Sequence, residues 1–551
     1  MSWLSYCYKT YQNSVSEIGK QQPGKAPLLP VAHTTQQVNI EVELDKDGNF
    51  QYAGLLTQDQ RTTIIPCTEE SSARTSGMVP HPLVDKLQYI AADYPTFGGS
   101  KESGWPLYHK QLQAWCTSPY AHPAVCTVLH YLEKECLIAD LVKANILFID
   151  ENGTLPTKWQ GNKEDKPPIL DTLTGSDQTE SFVRFRVDNV DLSRDTTVRE
   201  SFIRFYETQL KDIDYCTVQG IKMPVSILSP YKIRNPGDRA KLISSNDNTN
   251  YTYRGRFADA AQALSIGYET TQKAHSALRW LVSKQGVNTG DQTVLVWGTQ
   301  NEAVPNVLGD TLDIAQEYNP LAGDDWDDFE EDTERLPADT QEEIARQFNR
   351  AILGYQHQLK DNSQTAVMIL DSATPGRLSI RYYQEPQGSK LLANIKDWHD
   401  TFQWQLEYRS VEEPTELGKK PKIKKVVFVG APAPADIAKA AYGEKVDAKL
   451  KQATIERLIP CITNGERFPR NLMISAVDRA TNSIGLDYWE QQKTQNIACA
   501  LVRGYYHRNK KVDYPMNVDE TIKDRNYLFG RILACAEQIE RRALIQLGNE
   551  S

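Results

Sequence analysis

The stretch QKAHSALRWLVSKQG (residues 272–286) decides how the middle of this 551-residue chain folds. Small and aliphatic residues recur in it at three- and four-residue steps, a pattern typical of the buried stripe of an α-helix. The stripe consists of Ala274, Ala277, Leu278 and Leu281. The remaining side chains divide between two further faces, with Lys273, Trp280 and Lys284 on one and His275 and Arg279 on the other. The sequence therefore predicts a helix with one apolar and two basic faces.

His275 leaves three interpretations open. The imidazole can pack inside the fold, contact a polyanion together with the neighbouring cations, or act as a catalytic base. A base needs a nucleophile or an orienting carboxylate, and the sequence offers neither nearby. Phosphate-loop, nucleophile-elbow and zinc-protease motifs are absent, and neither the nine histidines nor the nine cysteines have metal-ligand spacing. We expect no catalytic residue, metal or cofactor, and keep a hydrolase or transferase using His275 as the alternative.

The segments around this helix predict an α+β fold. Alternating apolar residues predict a β-hairpin at 38–56 and a half-buried strand at 181–187. Residues 291–299 are predicted to form a short buried strand, and 365–385 two strands joined by a Pro-Gly turn. Helical periodicity covers residues 2–16, 107–145 and 201–210, and it returns in several segments between 435 and 545. We predict a mixed α/β N-terminal and middle region, followed by a C-terminal α-helical bundle.

Charge divides the chain unevenly. The net charge is −10, yet residues 418–551 carry 23 Lys and Arg against 15 Asp and Glu, so this part is +8 and residues 1–417 are −18. Eight of the eleven residues of DDWDDFEEDTE (324–334) are acidic, which is typical of a solvated linker or interaction tail. We predict an N-terminal α/β domain at 1–228, a middle basic, helical and β region at 229–417 with an acidic linker near 321–340, and a basic linker with the helical bundle at 418–551. The bundle is a candidate polyanion-facing module.

Hydropathy predicts the compartment. No apolar run approaches the roughly 18 residues that a membrane-spanning helix needs. The N-terminal MSWLSYCYKTYQ lacks the basic start, apolar core and cleavage site of a signal peptide. We therefore expect a cytoplasmic protein with no membrane partner.

Five stretches together resemble one family, the large subunit of the type I-C CRISPR surveillance complex (Cascade). They follow the family's order over nearly the whole chain: ARTSGMVPHPLVDKLQY (73–89), DRAKLISSNDNTNYTYRGRF (238–257), IGYETTQKAHSALRWLVSKQG (266–286), GRLSIRYY (376–383) and RNYLFGRILACAEQIERRAL (525–544). The combination of the middle block with the C-terminal helix is the specific part of this resemblance. Lys86 departs from it, because the family is expected to have Asn there.

The resemblance implies a non-catalytic, DNA-binding subunit that acts in antiviral defence. Such subunits help to recognise the protospacer-adjacent motif (PAM) of a double-stranded DNA target and to open the duplex for R-loop formation. They also recruit the helicase-nuclease that degrades the target. The guide crRNA reads most of the sequence by base pairing, and protein reads the short motif. The implied partners are the guide crRNA complex, with the Cascade backbone subunits and the crRNA-handle-binding subunit.

Residue type and family position then suggest three groups of site residues. PAM recognition is expected from the 67–77 loop, through Ser72, Arg74, Thr75 and Ser76, although the run 74–77 taken alone favours a surface turn that leads into Pro80 and Pro82. Duplex opening and DNA backbone contact are expected from Lys232, Arg234, Lys241, Asn246, Asn248, Arg254, Arg256 and Lys273, with Tyr251 and Tyr253 stacking on unpaired bases. Strand tracking by the bundle is expected from Arg470, Arg479, Arg503, Arg508 and Lys510.

The resemblance also implies a second product of the same gene. This small subunit equals the C-terminal bundle and is translated from an internal start. The charge division places its boundary near 418–435. Met473 is the only Met between Met368 and Met516, and a start there removes the first helices of the bundle. We therefore predict a non-AUG start at one of three valines: Val426, Val427 or Val429.

Overall fold

The chain divides into two compact units in this computed structural model. Unit 1 comprises Met1–Pro305 and Tyr355–Leu391, and unit 2 comprises Asn306–Gly354 and Leu392–Ser551. The structure describes residues 2–74, 77–99, 101–156, 159, 166–173, 175, 177–235, 237–244, 257, 260–317, 340–374, 377–412, 422–482 and 484–546, with only the backbone at 260–261, 340–343, 373–374, 408–412 and 422–426. The acidic block 324–334 lies outside the described residues, and the three predicted domain ranges stay predictions.

The helices and strands follow one another in this order along the chain. They are α1 (Trp3–Asn13), β1 (His33–Gln37), β2 (Ile40–Leu44), β3 (Phe50–Leu55), α2 (Gln58–Arg61), β4 (Thr62–Pro66), α3 (Glu69–Ser72), β5 (Asp85–Lys86), α4 (Leu87–Ile90), α5 (Trp105–Cys116), α6 (Pro123–Leu132), α7 (Leu137–Lys143), β6 (Phe182–Val187), β7 (Val190–Asp191), α8 (Thr196–Glu207), β8 (Ile213–Tyr215), β9 (Lys222–Pro224), α9 (Ala260–Ala263), α10 (Tyr268–Gln285), β10 (Val287–Thr289) and β11 (Gln292–Gly298). There follow α11 (Thr311–Glu317), α12 (Thr340–Gln358), β12 (Thr365–Thr374), β13 (Arg377–Gln384), α13 (Gly388–Thr401), β14 (Trp404–Glu412), β15 (Lys422–Gly430), α14 (Pro434–Tyr442), α15 (Ala448–Thr463), α16 (Arg470–Thr481), α17 (Tyr488–Tyr505) and α18 (Arg525–Gln546).

The larger core of unit 1 lies on a mixed sheet. Its strands follow the order β3-β2-β6-β5, with β7 paired to β6. Strands β2 and β6 run parallel, and the other pairs are antiparallel. Alternation in β2 buries Ile40, Val42 and Leu44, and helices α5 to α8 contribute aliphatic and aromatic side chains to the same core. Strands β1 and β4 form a separate antiparallel pair.

The second core of unit 1 is built around α10. Strands β10-β11-β12-β13 form an antiparallel sheet, and α10 packs with α1 and β11. The predicted apolar stripe of α10 is buried in one cluster with Cys7 of α1, Leu295 of β11 and Met368 of β12. Burying a leucine side chain stabilises a fold by about 1.5–3 kcal/mol, so Leu278 and Leu281 make large contributions. The stretch 272–286 therefore joins α1 to the sheet.

Unit 2 combines a β-hairpin with helices. Strands β14 and β15 pair antiparallel, with Leu406 opposite Phe428, and α17 packs on β14. Helices α14, α15, α16 and α17 pack together through buried aliphatic side chains. A π-helical turn, Tyr506–Lys510, continues α17. Helix α18 has no buried residue, and its apolar side chains are exposed.

The predicted α+β class is confirmed, and so are the predicted hairpin at 38–56 and the strands at 181–187, 291–299 and 365–385. One local prediction is wrong, because Lys422–Lys425 of the predicted basic linker belong to β15. The β-branched and aromatic residues that follow at 426–429 favour a strand despite the lysines. Within the described residues, every helix is too short or too polar to cross a membrane.

Candidate nucleic-acid interface

A cleft of about 1120 Å³ opens in unit 1. Residues 21–27, β1, α2, α10 and the 232–235 loop all line it. Among its described lining residues the charges are one-sided, with Asp59 the single carboxylate. The cations are Lys25, Arg61, Arg194, Lys232, Arg234 and Arg279. We call this site the basic cleft. Clustered like charge in a concave surface focuses the field and attracts ions of the opposite sign, here anions.

Most of these cations have no carboxylate partner among the described residues. Arg194 does, at 3.5 Å from Asp191. The others donate to neutral oxygens: Lys25 to Ser283 O at 3.0 Å, Arg61 to Leu56 O at 3.2 Å, Arg234 to Asp291 O at 2.6 Å, Lys232 to Thr35 O at 3.3 Å and Arg279 to Thr35 Oγ1 at 2.8 Å. The described protein therefore leaves the positive charge of the basic cleft largely unneutralised.

Two of the cations converge on Thr35 of β1. Arg279 projects from α10 and is only 7% exposed, while Lys232 reaches Thr35 from the loop after β9. Burial, followed by the charge of Arg279, lowers the pKa of Lys232 to about 8. Burial also lowers the pKa of Arg279 to about 10. Both shifts reflect charged groups that are removed from water without a counter-charge.

The 67–77 loop is fixed at its base. Thr68 and Ser71 form a capping box at the start of α3, and Ser72 Oγ donates to Glu69 O at 2.8 Å. Gly77 has a φ of +85°, a conformation that glycine adopts without strain. Thr75 and Ser76, predicted to contact the PAM, lie outside the described residues.

Arg74 is held by its own protein. Its guanidinium donates to both carboxylate oxygens of Asp85, at 2.9 and 3.0 Å, and to Val79 O at 2.9 Å. It also lies over the ring of Tyr89, 4.5 Å from the centroid. Burial disfavours the cation, but the hydrogen bonds and charge of Asp85 outweigh that effect and raise the pKa of Arg74. The Arg74 side chain therefore links the 67–77 loop to Val79 and Asp85.

His275 is buried and has no acidic partner among the described residues; the hydroxyl nearest its ring, Thr271 Oγ1 at 3.1 Å from Nδ1, lies one turn away on the same helix. It is 2% exposed, its Nδ1 lies 2.9 Å from Thr271 O, and its ring meets Trp3 edge-on at 5.3 Å. Burial lowers its pKa to about 4, and Nε2 has no hydrogen-bond partner there. These contacts favour packing over catalysis. Among the described residues, no group of three or more His, Cys, Asp or Glu side chains is placed to hold a metal ion.

The sequence model of a family described as CRISPR-associated protein (Cas_Csd1) matches residues 7–551. The chain belongs to this CRISPR-associated family. Membership implies participation in a Cas complex and in CRISPR defence. Comparison with curated proteins gives no significant match.

The other predicted DNA-contacting residues of this Cas_Csd1 protein differ in their surroundings. Arg234 and Lys232 line the basic cleft. Lys241 pairs through its backbone with Arg377 and Leu378. Lys273 forms an ion pair with Glu269 one turn away and lies near the rings of Tyr8 and Tyr11. The rest of the group lies outside the described residues: Asn246, Asn248, Tyr251, Tyr253, Arg254 and Arg256.

The strand-tracking cations of unit 2 are mostly engaged. Arg479 pairs with Glu490, and Arg503 donates to the carbonyls of Asp400, Thr401 and Gln403 at the end of α13. Arg508 donates to Asp397 at 2.6 Å and to Cys461 O at 2.5 Å. Arg470 and Lys510 are exposed. Three of these five side chains thus hold unit 2 together.

Four cleft cations are absent from the residues that the sequence predicts for the site: Lys25, Arg61, Arg194 and Arg279. The sequence could have suggested Arg279 as a site residue, because it lies on a helix with other basic residues. The other three are isolated cations far apart along the chain, so only the fold reveals that they line the same cleft.

Proposed function

We propose that this protein is the non-catalytic large subunit of a type I-C Cascade. In this role it binds target DNA, assists PAM recognition and duplex opening, and recruits the helicase-nuclease. The observation that carries the proposal is the basic cleft, whose described lining residues include six cations and one carboxylate, with little neutralisation by neighbouring acidic groups. Nucleic-acid binding depends chiefly on such cations, because each one that meets a phosphate releases a condensed counter-ion.

The 67–77 loop has a supporting role in PAM recognition. Thr75 and Ser76 are the residues of this loop that we assign to DNA contact. Arg74 and Ser72 act as positioning residues, because their polar atoms bond to Asp85, Val79 and Glu69 within the loop's own base. Anchoring the flanking residues in this way lowers the entropic cost of ordering the loop when DNA binds.

Helix α18 supports assembly with protein partners. Phe529, Ile532, Leu533 and Ile539 lie on one face of the helix and are exposed. Exposed apolar patches of this kind mark protein–protein contacts. We assign this face to the partner subunits of the complex.

The small subunit from internal translation has a structural consequence. A product starting at one of the candidates Val426, Val427 or Val429 begins inside β15 and lacks β14, its pairing strand. It also lacks Asp397 and the carbonyls of residues 400–403, which engage Arg508 and Arg503 in the full chain. In that product Arg508 keeps its bond to Cys461 O and Arg503 its bond to Tyr514 O, and we assign their remaining donors to contact with a nucleic-acid strand.

A charge-matched pair of variants tests the proposed function. The chain is first co-purified with guide crRNA and Cascade subunits, and binding of target duplex is then measured against salt. Lys25→Gln/Arg61→Gln/Arg194→Gln removes three cleft cations. Lys46→Gln/Lys110→Gln/Lys143→Gln removes three exposed cations that do not line the cleft.

The cleft variant is expected to bind at least tenfold more weakly, with the slope of log K against log salt reduced by about 0.9 for each phosphate that the variant no longer neutralises. The control variant should keep the wild-type slope. Equal affinity and slope in both variants, or failure to bring down guide RNA, would refute the proposal.

A further inference from the structure

We propose that Lys232 and Arg279, gathered at Thr35, bind one phosphodiester group of the nucleic acid in the basic cleft. We call these three residues the Thr35 seat. The inference rests on the proposed function, and it adds a defined phosphate position to it. Arg279 Nη2 and Lys232 Nζ bond to two atoms of one residue, Thr35 Oγ1 at 2.8 Å and Thr35 O at 3.3 Å. Two cations are thereby held side by side.

The cations of the Thr35 seat have no acidic partner among the described residues. No described carboxylate forms an ion pair with Lys232 or Arg279, and their only described hydrogen bonds from side-chain nitrogens go to Thr35. Buried charges in proteins are normally paired, because an unpaired one loses its hydration without compensation. A phosphate restores the balance: the planar guanidinium matches two phosphate oxygens, and the ammonium adds a third donor.

The backbone of Lys232 is also unusual. Its φ is +63°, in the left-handed region that residues with a side chain rarely adopt. The conformation is fixed by a bond from Lys232 N–H to Asp238 O at 2.9 Å and by burial of the next residue, Ile233. Strained backbone held in this way concentrates at functional sites, and here it aims the ammonium at Thr35.

A polymer fits better than a free phosphate. The same cleft is also lined by Lys25, Arg61 and Arg194, and a single phosphate bound at the seat does not neutralise these three cations. Consecutive phosphodiesters of one strand can reach both the seat and these rim cations. The occupant is therefore a nucleic-acid backbone, and sequence reading is left to other contacts.

The test uses the full chain and a fluorescent oligo-dA strand, with anisotropy measured at constant ionic strength between about pH 7 and 9.5. The groups near Lys232 that carry charge between pH 7 and 9.5 are Arg279 of α10 and Arg239 of the following loop, whereas Cys67 after β4, with a pKa raised to about 12, and His81, with a pKa lowered to about 4, are neutral there. Because phosphate needs the protonated amine, wild-type affinity should stay level below the Lys232 pKa of about 8 and fall above it.

Three variants separate the seat from the rest of the cleft. Lys232→Asn, chosen because Asn tolerates the left-handed region, should bind about tenfold more weakly and lose the fall with pH. The same change should raise the melting temperature, since a half-buried cation without a carboxylate partner is removed. Lys232→Arg should keep binding without the fall. Lys25→Gln should weaken binding but retain it.

Each failure has a distinct signature. If Lys232→Asn binds like wild type while the rim triple variant is weakened, the seat is wrong and the basic cleft stands. If neither variant loses affinity, the proposed function itself is wrong. In a third outcome, inorganic phosphate raises the melting temperature only when Lys232 is present, while the affinity for oligo-dA does not depend on Lys232. The seat then binds a free anion, and the phosphodiester assignment is overturned.

Discussion

Replacing Arg74 with Ala distinguishes a side chain that positions the 67–77 loop from one that reads DNA. Asp85 is fully buried and accepts two bonds from Arg74, one from His81 N–H at 2.6 Å and one from Lys86 N–H at 2.8 Å. The variant leaves a buried carboxylate with only the two backbone donors. Breaking a buried ion pair in this way costs about 3–5 kcal/mol. Arg74 is 13% exposed, so we expect the lower end, about 3 kcal/mol.

Amide hydrogen exchange measures this cost locally, which matters because a chain of two units need not unfold in one step. The amides of His81 and Lys86, both bonded to Asp85, should exchange roughly a hundredfold faster in Arg74→Ala. Arg74→Met/Asp85→Asn removes both charges, keeps one side-chain oxygen at residue 85 as an acceptor for these amides, and should recover part of the protection. PAM discrimination by the assembled complex should fall in the single variant and partly return in the double one. Lost discrimination with unchanged exchange would mean that Arg74 contacts DNA directly, and the positioning argument would be refuted.

Two further outcomes follow from buried groups. His275 has a folded pKa of about 4 against 6.5 in the unfolded chain, so stability present at pH 7 is lost as pH falls through this window, by about 3 kcal/mol for this group. His275→Gln should make the fall of melting temperature between pH 6.5 and 4 shallower, while buried His33 and His81, whose pKa values are also about 4, keep part of that fall. DNA affinity should be unchanged at pH 7.5; loss of DNA binding there would contradict burial as the role of His275. Arg508→Ala should lower the stability of unit 2 by about 2–4 kcal/mol, since Arg508 bonds to Asp397 and Cys461 O, whereas exposed Lys510→Ala should stay within about 0.5 kcal/mol in urea unfolding. Equal effects of the two changes would show that the Arg508 contacts add nothing to stability.

Local pattern is sufficient for the elements that surround α10. Alternation predicts β2 and β6, and three- and four-residue steps predict the buried stripe of α10, because both patterns follow directly from backbone geometry. A short apolar run predicts β11, which is buried at every position. The local pattern does not predict the start of β15, where three of the first four residues are lysines. The charge of residues 422–425 predicts a linker, but pairing with β14 decides their structure.

The basic cleft could not be predicted from the sequence alone. Lys25, Arg61 and Arg194 come from three distant segments, and no spacing rule relates them. Helical periodicity places Arg279 on the same face as His275, but the two side chains have different surroundings. His275 packs against Trp3, and Arg279 lines the cleft. Helical periodicity assigns residues to a face and cannot say what covers that face.

The predicted DNA-contacting cations differ mainly in whether a carboxylate of the protein already neutralises them. Arg74, Lys273 and Arg479 each have a carboxylate partner, and a phosphate would have to displace it at the cost of leaving that carboxylate exposed or unpaired. Lys232 and Arg279 have no such competitor among the described residues, so a phosphate that reaches Thr35 gains their full attraction. The same absence makes the free protein less stable than it would be with a neutral residue there. A buried cation kept under that penalty is most simply explained by an anion that arrives later, and for a CRISPR-associated protein the abundant polyanion is nucleic acid.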